Sequence, residues 1–158
     1  NLTSKGEPKK QIIKIMKTNI LINILLLVML SLSGLNRLEA QQVDSNRKNN
    51  YVVLTQKLPQ LEPIILTAET LKMEEGKNFG DFQIIICGKG VEDLTDPDKI
   101  SGYVENANKT GVRIIACGFS LTKFKVDRTQ IPKEITVVEN GIHYNFQLQK
   151  KGYKSLSL

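Results

Sequence analysis

GVRIIACGFSLTKF, residues Gly111–Phe124, sets a glycine, a short apolar run, a cysteine and a second glycine in that order. The run Val112–Ala116 predicts a strand, and Ser120–Lys125 predicts a short helix after it, so Cys117 stands at the strand's carboxyl end just before Gly118. In an open parallel sheet, ligands and reactive groups gather beyond the carboxyl ends of the strands. A thiol there faces backbone N–H groups of the helix start, which stabilise a thiolate over a thiol. The spacing fits equally a small buried hydrophobe or one half of a disulfide.

Outward from this stretch, short apolar runs alternate with longer amphipathic ones. Tyr51–Thr55 (YVVLT) reads as a first strand and Leu61–Glu75 as a helix, Pro63 being tolerated in its first turn and Gly76 ending it. Phe82–Cys87 (FQIIIC) is apolar after Gln83, the pattern of a strand covered on both faces. Asp96-Pro97 predicts a helix start, with Ile100, Val104 and Ala107 on one face and Gly111 closing it. Glu134–Val138 reads as a further strand and Ile142–Lys150 as a final helix, followed by Gly152 and a short tail, Tyr153–Leu158. Strand and helix alternating in this way predict a single α/β domain over residues 51–158, a three-layer sandwich with a mainly parallel sheet of about five strands.

The charge of the chain is unevenly placed. Of the formal net +6, residues 1–40 carry +4, so the predicted domain is nearly neutral and nucleic-acid binding is not expected. The basic residues Lys14 and Lys17, the apolar run Ile20–Leu30 and the sequence Leu38-Glu39-Ala40 have the order of an export signal. Residues 16–40 are therefore expected to be a cleaved signal peptide starting at Met16, residues 1–15 upstream or appended sequence, and 41–50 a polar linker. This places the domain in the periplasm or outside the cell, free of the membrane after cleavage. A retained N-terminal membrane anchor is the alternative, because Thr18–Asn36 carries no charge. Export puts Cys87 and Cys117 in an oxidising compartment, where a pair of cysteines often forms a disulfide. Both precede glycine, and whether they can pair depends on a strand order that the sequence does not give.

The loops after successive strands converge on one edge of such a fold. Thr55 and Gln56, Cys87–Gly90, Cys117–Ser120 and Asn140–His143 are thus predicted neighbours. Gly88-Lys89-Gly90 could offer amides and a counter-charge to an anion, but it lacks the full phosphate-loop pattern, and a strand-to-helix turn explains it as well. His143, the only histidine, has no Asp or Asn spaced to complete a triad with Cys117. One histidine and two cysteines make no zinc set, and Glu92, Asp93, Asp96 and Asp98 lack the ligand order of a calcium loop; no metal or other cofactor is expected.

Four pieces together carry a resemblance: the strand ending at Gly88, GVRIIACGFSL with its cysteine, Ile131-Pro132 followed by EITVVENGI, and the closing LQKKGY at Leu148–Tyr153. In their order and spacing, residues 51–158 resemble the DsrE/DsrF-like family of sulfur-relay proteins. The resemblance implies a compact α/β fold that assembles as a homotrimer or hexamer. It also implies that Cys117 accepts sulfur as a persulfide from a donor protein and passes it to an acceptor. Around it, Gly118, Ser120, Cys87, Gly88 and Lys89 are the supporting residues, Ser120 capping the helix or bonding the sulfur. The expected function is an exported sulfur carrier, a sulfurtransferase-type activity. The competing readings are a non-catalytic binding or assembly module with the cysteines buried or bridged, and a thiol-disulfide redox protein using Cys87 and Cys117. Export departs from the family's cytoplasmic relay partners, so donor and acceptor are not implied.

Overall fold

The computed structural model of the protein describes Ile20 and residues 48–158. The expected signal peptide and most of the expected linker lie outside the described residues. Among the described residues no helix is long and apolar enough to cross a membrane.

Five parallel strands form one sheet: β1 (Asn49–Thr55), β2 (Phe79–Ile86), β3 (Val112–Cys117), β4 (Thr136–Val138) and β5 (Lys154–Ser157), in the order β4-β3-β2-β1-β5. The helices are α1 (Leu61–Glu75), α2 (Pro97–Thr110), α3 (Gly118–Lys123) and α4 (Gly141–Lys150), with a 3-10 segment at Gly88–Thr95. The α/β sandwich expected from the alternation is the observed fold, and α1 has the bounds read from the sequence. At the start of α2, Asp96 accepts a hydrogen bond from the Asp98 N–H at 3.1 Å, and Pro97 fills the first turn. At its end Gly111 takes a left-handed conformation, φ 84°, that residues with a Cβ adopt only under strain.

Two expectations needed correction. The linker read as 41–50 ends earlier, because Asn49 and Asn50 belong to β1 and the Asn50 Oδ1 accepts the Asp81 N–H at 2.8 Å. The tail after Gly152 is β5, an edge strand beside β1, whose register pairs Tyr51 with Lys154 and Leu54 with Ser157. All of β5 is exposed, so no apolar alternation marked it.

Successive residues of β1, β2 and β3 point into two separate cores. On one face Val53, Ile84, Ile86, Ile114 and Ala116 pack with Leu61, Ile64 and Ile65 of α1, Ile100 and Ala107 of α2 and Leu121 of α3. On the other face Val52, Leu54, Ile85, Cys87, Ile115 and Cys117 pack against Leu148, Tyr144 and Val138. This explains the unbroken apolar run of β2: Ile84, Ile85 and Ile86 are each fully buried, in alternate cores. Each such side chain contributes about 1.5–3 kcal/mol of burial.

The second face is held by α4 at one end and by a polar network at the other. Arg113 makes two hydrogen bonds to the Asp81 carboxylate, at 3.0 and 2.6 Å, and the Tyr153 hydroxyl donates to the same carboxylate at 2.7 Å. The buried Gln83 amide donates to Asp81 at 2.6 Å and accepts from the Tyr144 hydroxyl of α4 at 3.0 Å. Burial acts to raise the Asp81 pKa, but the bonds from Arg113, Tyr153 and Gln83 outweigh it and hold the carboxyl below its ordinary range. The chain leaves β3 towards the first face and β4 towards the second. The topological switch point therefore falls between β3 and β4, beyond Cys117 and Val138.

Candidate functional site

Cys117 ends β3 at that switch point and lies under the first turn of α4. The Gly141 N–H points at its sulfur, with N to Sγ 3.3 Å. Helix α4 is brought there by its own cap: the Asn140 Oδ1 accepts the Ile142 N–H at 3.0 Å and the His143 N–H at 3.1 Å. With those two donors bound to Asn140, Gly141 is the amide of this turn that reaches the thiol. Its lack of a side chain is required, since a Cβ at 141 would stand 2.7 Å from the Cys87 Sγ, 2.8 Å from the Ile85 Cγ2 and 3.1 Å from the Cys117 Cβ.

Cys87 follows β2 directly. In the register of β2 and β3, Ile86 is opposite Ala116, so Cys87 and Cys117 are the next facing pair, both on the α4 side of the sheet. Cys87 is tied to β1 by its N–H, which donates to the Thr55 carbonyl at 2.9 Å. Both thiols are free and buried, Cys117 being 3% and Cys87 7% exposed.

The two sulfurs differ in their electrostatics. Burial pushes the Cys117 thiol up, but hydrogen bonds from the Ser120 hydroxyl, the Gly141 N–H, the Ser120 N–H and the Cys87 thiol prevail, and the group is held below its ordinary value. Cys87 is pushed up to about 12, by burial first and then by the charge on Cys117 and the hydrogen bond given to it. The Cys87 thiol thus donates to a Cys117 sulfur whose surroundings favour its thiolate form.

The structure gathers most of the residues singled out in the sequence. Ser120 is buried and joins the turn after β2 to the end of β3: its hydroxyl oxygen accepts the Gly88 N–H at 2.9 Å while the hydroxyl supports Cys117. It sits inside α3 and does not act as the helix cap, a correction to that expectation. Gly118 is buried, and its carbonyl accepts from the Arg128 guanidinium at 3.2 Å. Lys89 is not brought to the thiols; it is exposed and lines a separate cavity of about 520 Å³ with Gln56, Lys57, Leu58, Gln60 and Asp93. The expected run of amides from Gly118 to Ser120 is also divided, because the Phe119 N–H donates to the Glu139 carbonyl at 2.8 Å.

The sequence placed Asn140–His143 beside Cys117–Ser120, and the structure does bring Gly141 to Cys117; what it did not single out is the Gly141 N–H as donor to the sulfur and Asn140 as the cap that carries it, for which the Asn-Gly pair opening the last helix is the signal. Phe119 of α3 and Ile142 and Phe146 of α4 are each more than half exposed.

No protein-family model matches the chain, and no curated protein does. Solved structures do share its fold. One is a protein of unknown function from Methanobacterium thermoautotrophicum, 18% identical with a TM-score of 0.61, the match covering 70% of this chain and 100% of that one. Another is a protein of unknown function from Bacteroides thetaiotaomicron, 21% identical with a TM-score of 0.55, covering 70% of this chain and 95% of that one. At these identities the likeness extends to the fold: the chain is an α/β domain of the same architecture as these proteins.

Proposed function

We propose that the domain is an exported, DsrE-like sulfur carrier that holds sulfur as a persulfide on Cys117. The observation that carries this reading is the Gly141 N–H directed at the Cys117 sulfur from a helix start, joined by Ser120, which together favour a thiolate in a buried place. The thiolate attacks the outer sulfur of a donor persulfide, R–S–SH. The new bond joins Cys117 Sγ to that sulfur, the donor's S–S bond breaks, and the donor leaves as R–S⁻ while the proton stays on the transferred sulfur. An acceptor thiolate then repeats the step in the opposite direction. Because Cys117 is 3% exposed, transfer requires the first turn of α4 or the Cys87–Gly90 turn to part from it, and a partner protein docking at Phe119 and Ile142 is placed to drive that opening.

The same burial favours a second reading, a binding or assembly module in which the thiols only pack. Exposed Ile142 and Phe146, one turn apart on α4, then serve contact with further copies or a partner. Intact mass after incubation with a persulfide donor separates the two. Read at the shortest times, before any sulfur is released, the carrier gains one sulfur atom, the gain is lost in Cys117→Ser, and it is kept in Cys87→Ser. A Cys87→Ser protein with a free Cys117 thiol and no added sulfur refutes the carrier.

A further inference from the structure

We infer that Cys87 is the resolving thiol of the site, releasing the sulfur held on Cys117 as hydrogen sulfide and closing a Cys87–Cys117 disulfide; this rests on the carrier reading of Cys117. Cys117 ends β3 and Cys87, in extended backbone, stands one residue past β2, so the two continue the parallel register of these adjacent strands beyond Ile86 and Ala116. Such strands run about 4.8 Å apart, inside the roughly 4.4–6.8 Å between Cα atoms that a disulfide spans. No side chain stands between the sulfurs and the helix above them, because Gly141 fills that place, its absent Cβ 2.7 Å from the Cys87 Sγ and 3.1 Å from the Cys117 Cβ. Closure therefore needs no rearrangement of the sheet.

The chemistry balances within the chain. Cys87, as it gives up its proton, attacks the Cys117 Sγ of Cys117–S–SH. The Sγ–Sγ bond forms, the bond to the outer sulfur breaks, and that sulfur leaves with its own hydrogen and the Cys87 proton as hydrogen sulfide. The outer sulfur is reduced and the Cys87 sulfur is oxidised. An external dithiol returns the pair to its starting state, giving up two hydrogens and becoming a disulfide.

The environment orders these events. While Cys117 is a thiolate, its charge and the hydrogen bond it accepts keep Cys87 protonated, so Cys117 is the group that meets the donor. Sulfur on Cys117 carries the charge outward to the terminal sulfur, so the part of the restraint that Cys117 imposed on Cys87 is relieved while its burial remains. Burial of both residues excludes bulky outside thiols and gives the neighbour the advantage of proximity.

The test uses the full 158-residue chain, reduced and then loaded with inorganic polysulfide, freed of excess reagent and left without added thiol. The wild type is expected to release one sulfide per loaded chain while its mass falls to that of the reduced chain less two hydrogens. Cys87→Ser is expected to keep its added sulfur and release sulfide only when a dithiol is supplied. Wild-type protein that retains its sulfur as long as Cys87→Ser does overturns the inference while leaving the carrier intact. Should Cys87→Ser and wild type both take up no sulfur and release none, the carrier reading fails and the inference with it. Because the wild-type time course alone reports sulfide and mass together, a variant that folds poorly does not blunt the test.

Discussion

Replacing Gly141 by Ala puts a methyl group at the junction of α4 and the two thiols. The added Cβ would lie 2.7 Å from the Cys87 Sγ, 2.8 Å from the Ile85 Cγ2 and 3.1 Å from the Cys117 Cβ, all on packed strands. Such overpacking costs about 1–3 kcal/mol. Gly141 has no left-handed φ, so the reduced freedom of the unfolded chain returns about 0.4–1 kcal/mol. A net loss of about 1–2 kcal/mol is expected, lowering the urea midpoint by roughly 0.5–1 M. Relief of the clash also draws the Gly141 N–H away from the Cys117 Sγ, 3.3 Å away in the native fold. A hydrogen bond to a charged group is worth about 1.5–3 kcal/mol, so losing part of it raises the Cys117 pKa. Gly102→Ala is the control: nothing lies within 4 Å of its Cβ position on the exposed side of α2, and a gain of about 0.5–1 kcal/mol is expected there. Urea unfolding and thiolate absorbance against pH, both in a Cys87→Ser background and in wild type, measure the two effects. A Gly141→Ala protein as stable as Gly102→Ala, with an unmoved Cys117 titration, would refute this account of the site.

Gly90→Ala should lose more than Gly141→Ala, because its Cβ would meet the Gln56 backbone oxygen at 2.4 Å and neither loop can turn a side chain aside; thermal melting of the two variants ranks them. Asp81→Ala leaves Arg113 and the buried Gln83 without their acceptor, and a loss of about 2–3 kcal/mol in urea unfolding is expected. At alkaline pH, Cys87 and Tyr51, both raised to about 12, hold their protons in the fold but ionise near 8.5 and 10 when unfolded. Their stabilisation is complete below those values and lost as pH rises towards 12, so melting temperature should fall between about pH 9 and 12, less steeply in Cys87→Ala. Cys117, held low, acts in the opposite sense: its contribution is present above about 8.5 and fades as pH falls through its folded value. Comparing Cys117→Ser with wild type from about pH 8.5 downward isolates that contribution.

The layer order of the fold was legible because its signals are local. Asp96-Pro97 announces α2, Gly111 ends it, and the run in β2 can be wholly apolar only if both faces are covered. What escaped depends on partners distant in the chain. Strand β5 carries Lys-Ser-Leu-Ser and is fully exposed; only the edge of β1 makes it a strand. The polar FGD at the start of β2 belongs to the sheet through Asp81, whose carboxylate is bound to Arg113 and Tyr153 from two later elements. At the site, Cys117, Cys87, Ser120 and Gly88 were read from their positions at strand ends, and the fold does bring them together. Asn140–His143 was likewise read as a neighbour of Cys117, but the Gly141 N–H as its donor was not legible, because the sequence does not state that the next helix crosses to the second face directly over the thiol.

That crossing gives the site a history during synthesis. The three helices of the first face precede α4 in the chain, so the sheet from β1 to β3 can form one core while Cys87 and Cys117 still look out on an uncovered face. At ordinary translation rates the 24 residues from Cys117 to Gly141 take ~1–5 s to emerge. Until they do, Ser120 of α3 already reaches Cys117, but the Gly141 N–H and the cover of α4 are missing. The nascent domain is therefore chemically a different molecule, with two less sheltered cysteines side by side, and an oxidant that reaches it in that interval meets them before α4 has closed over them.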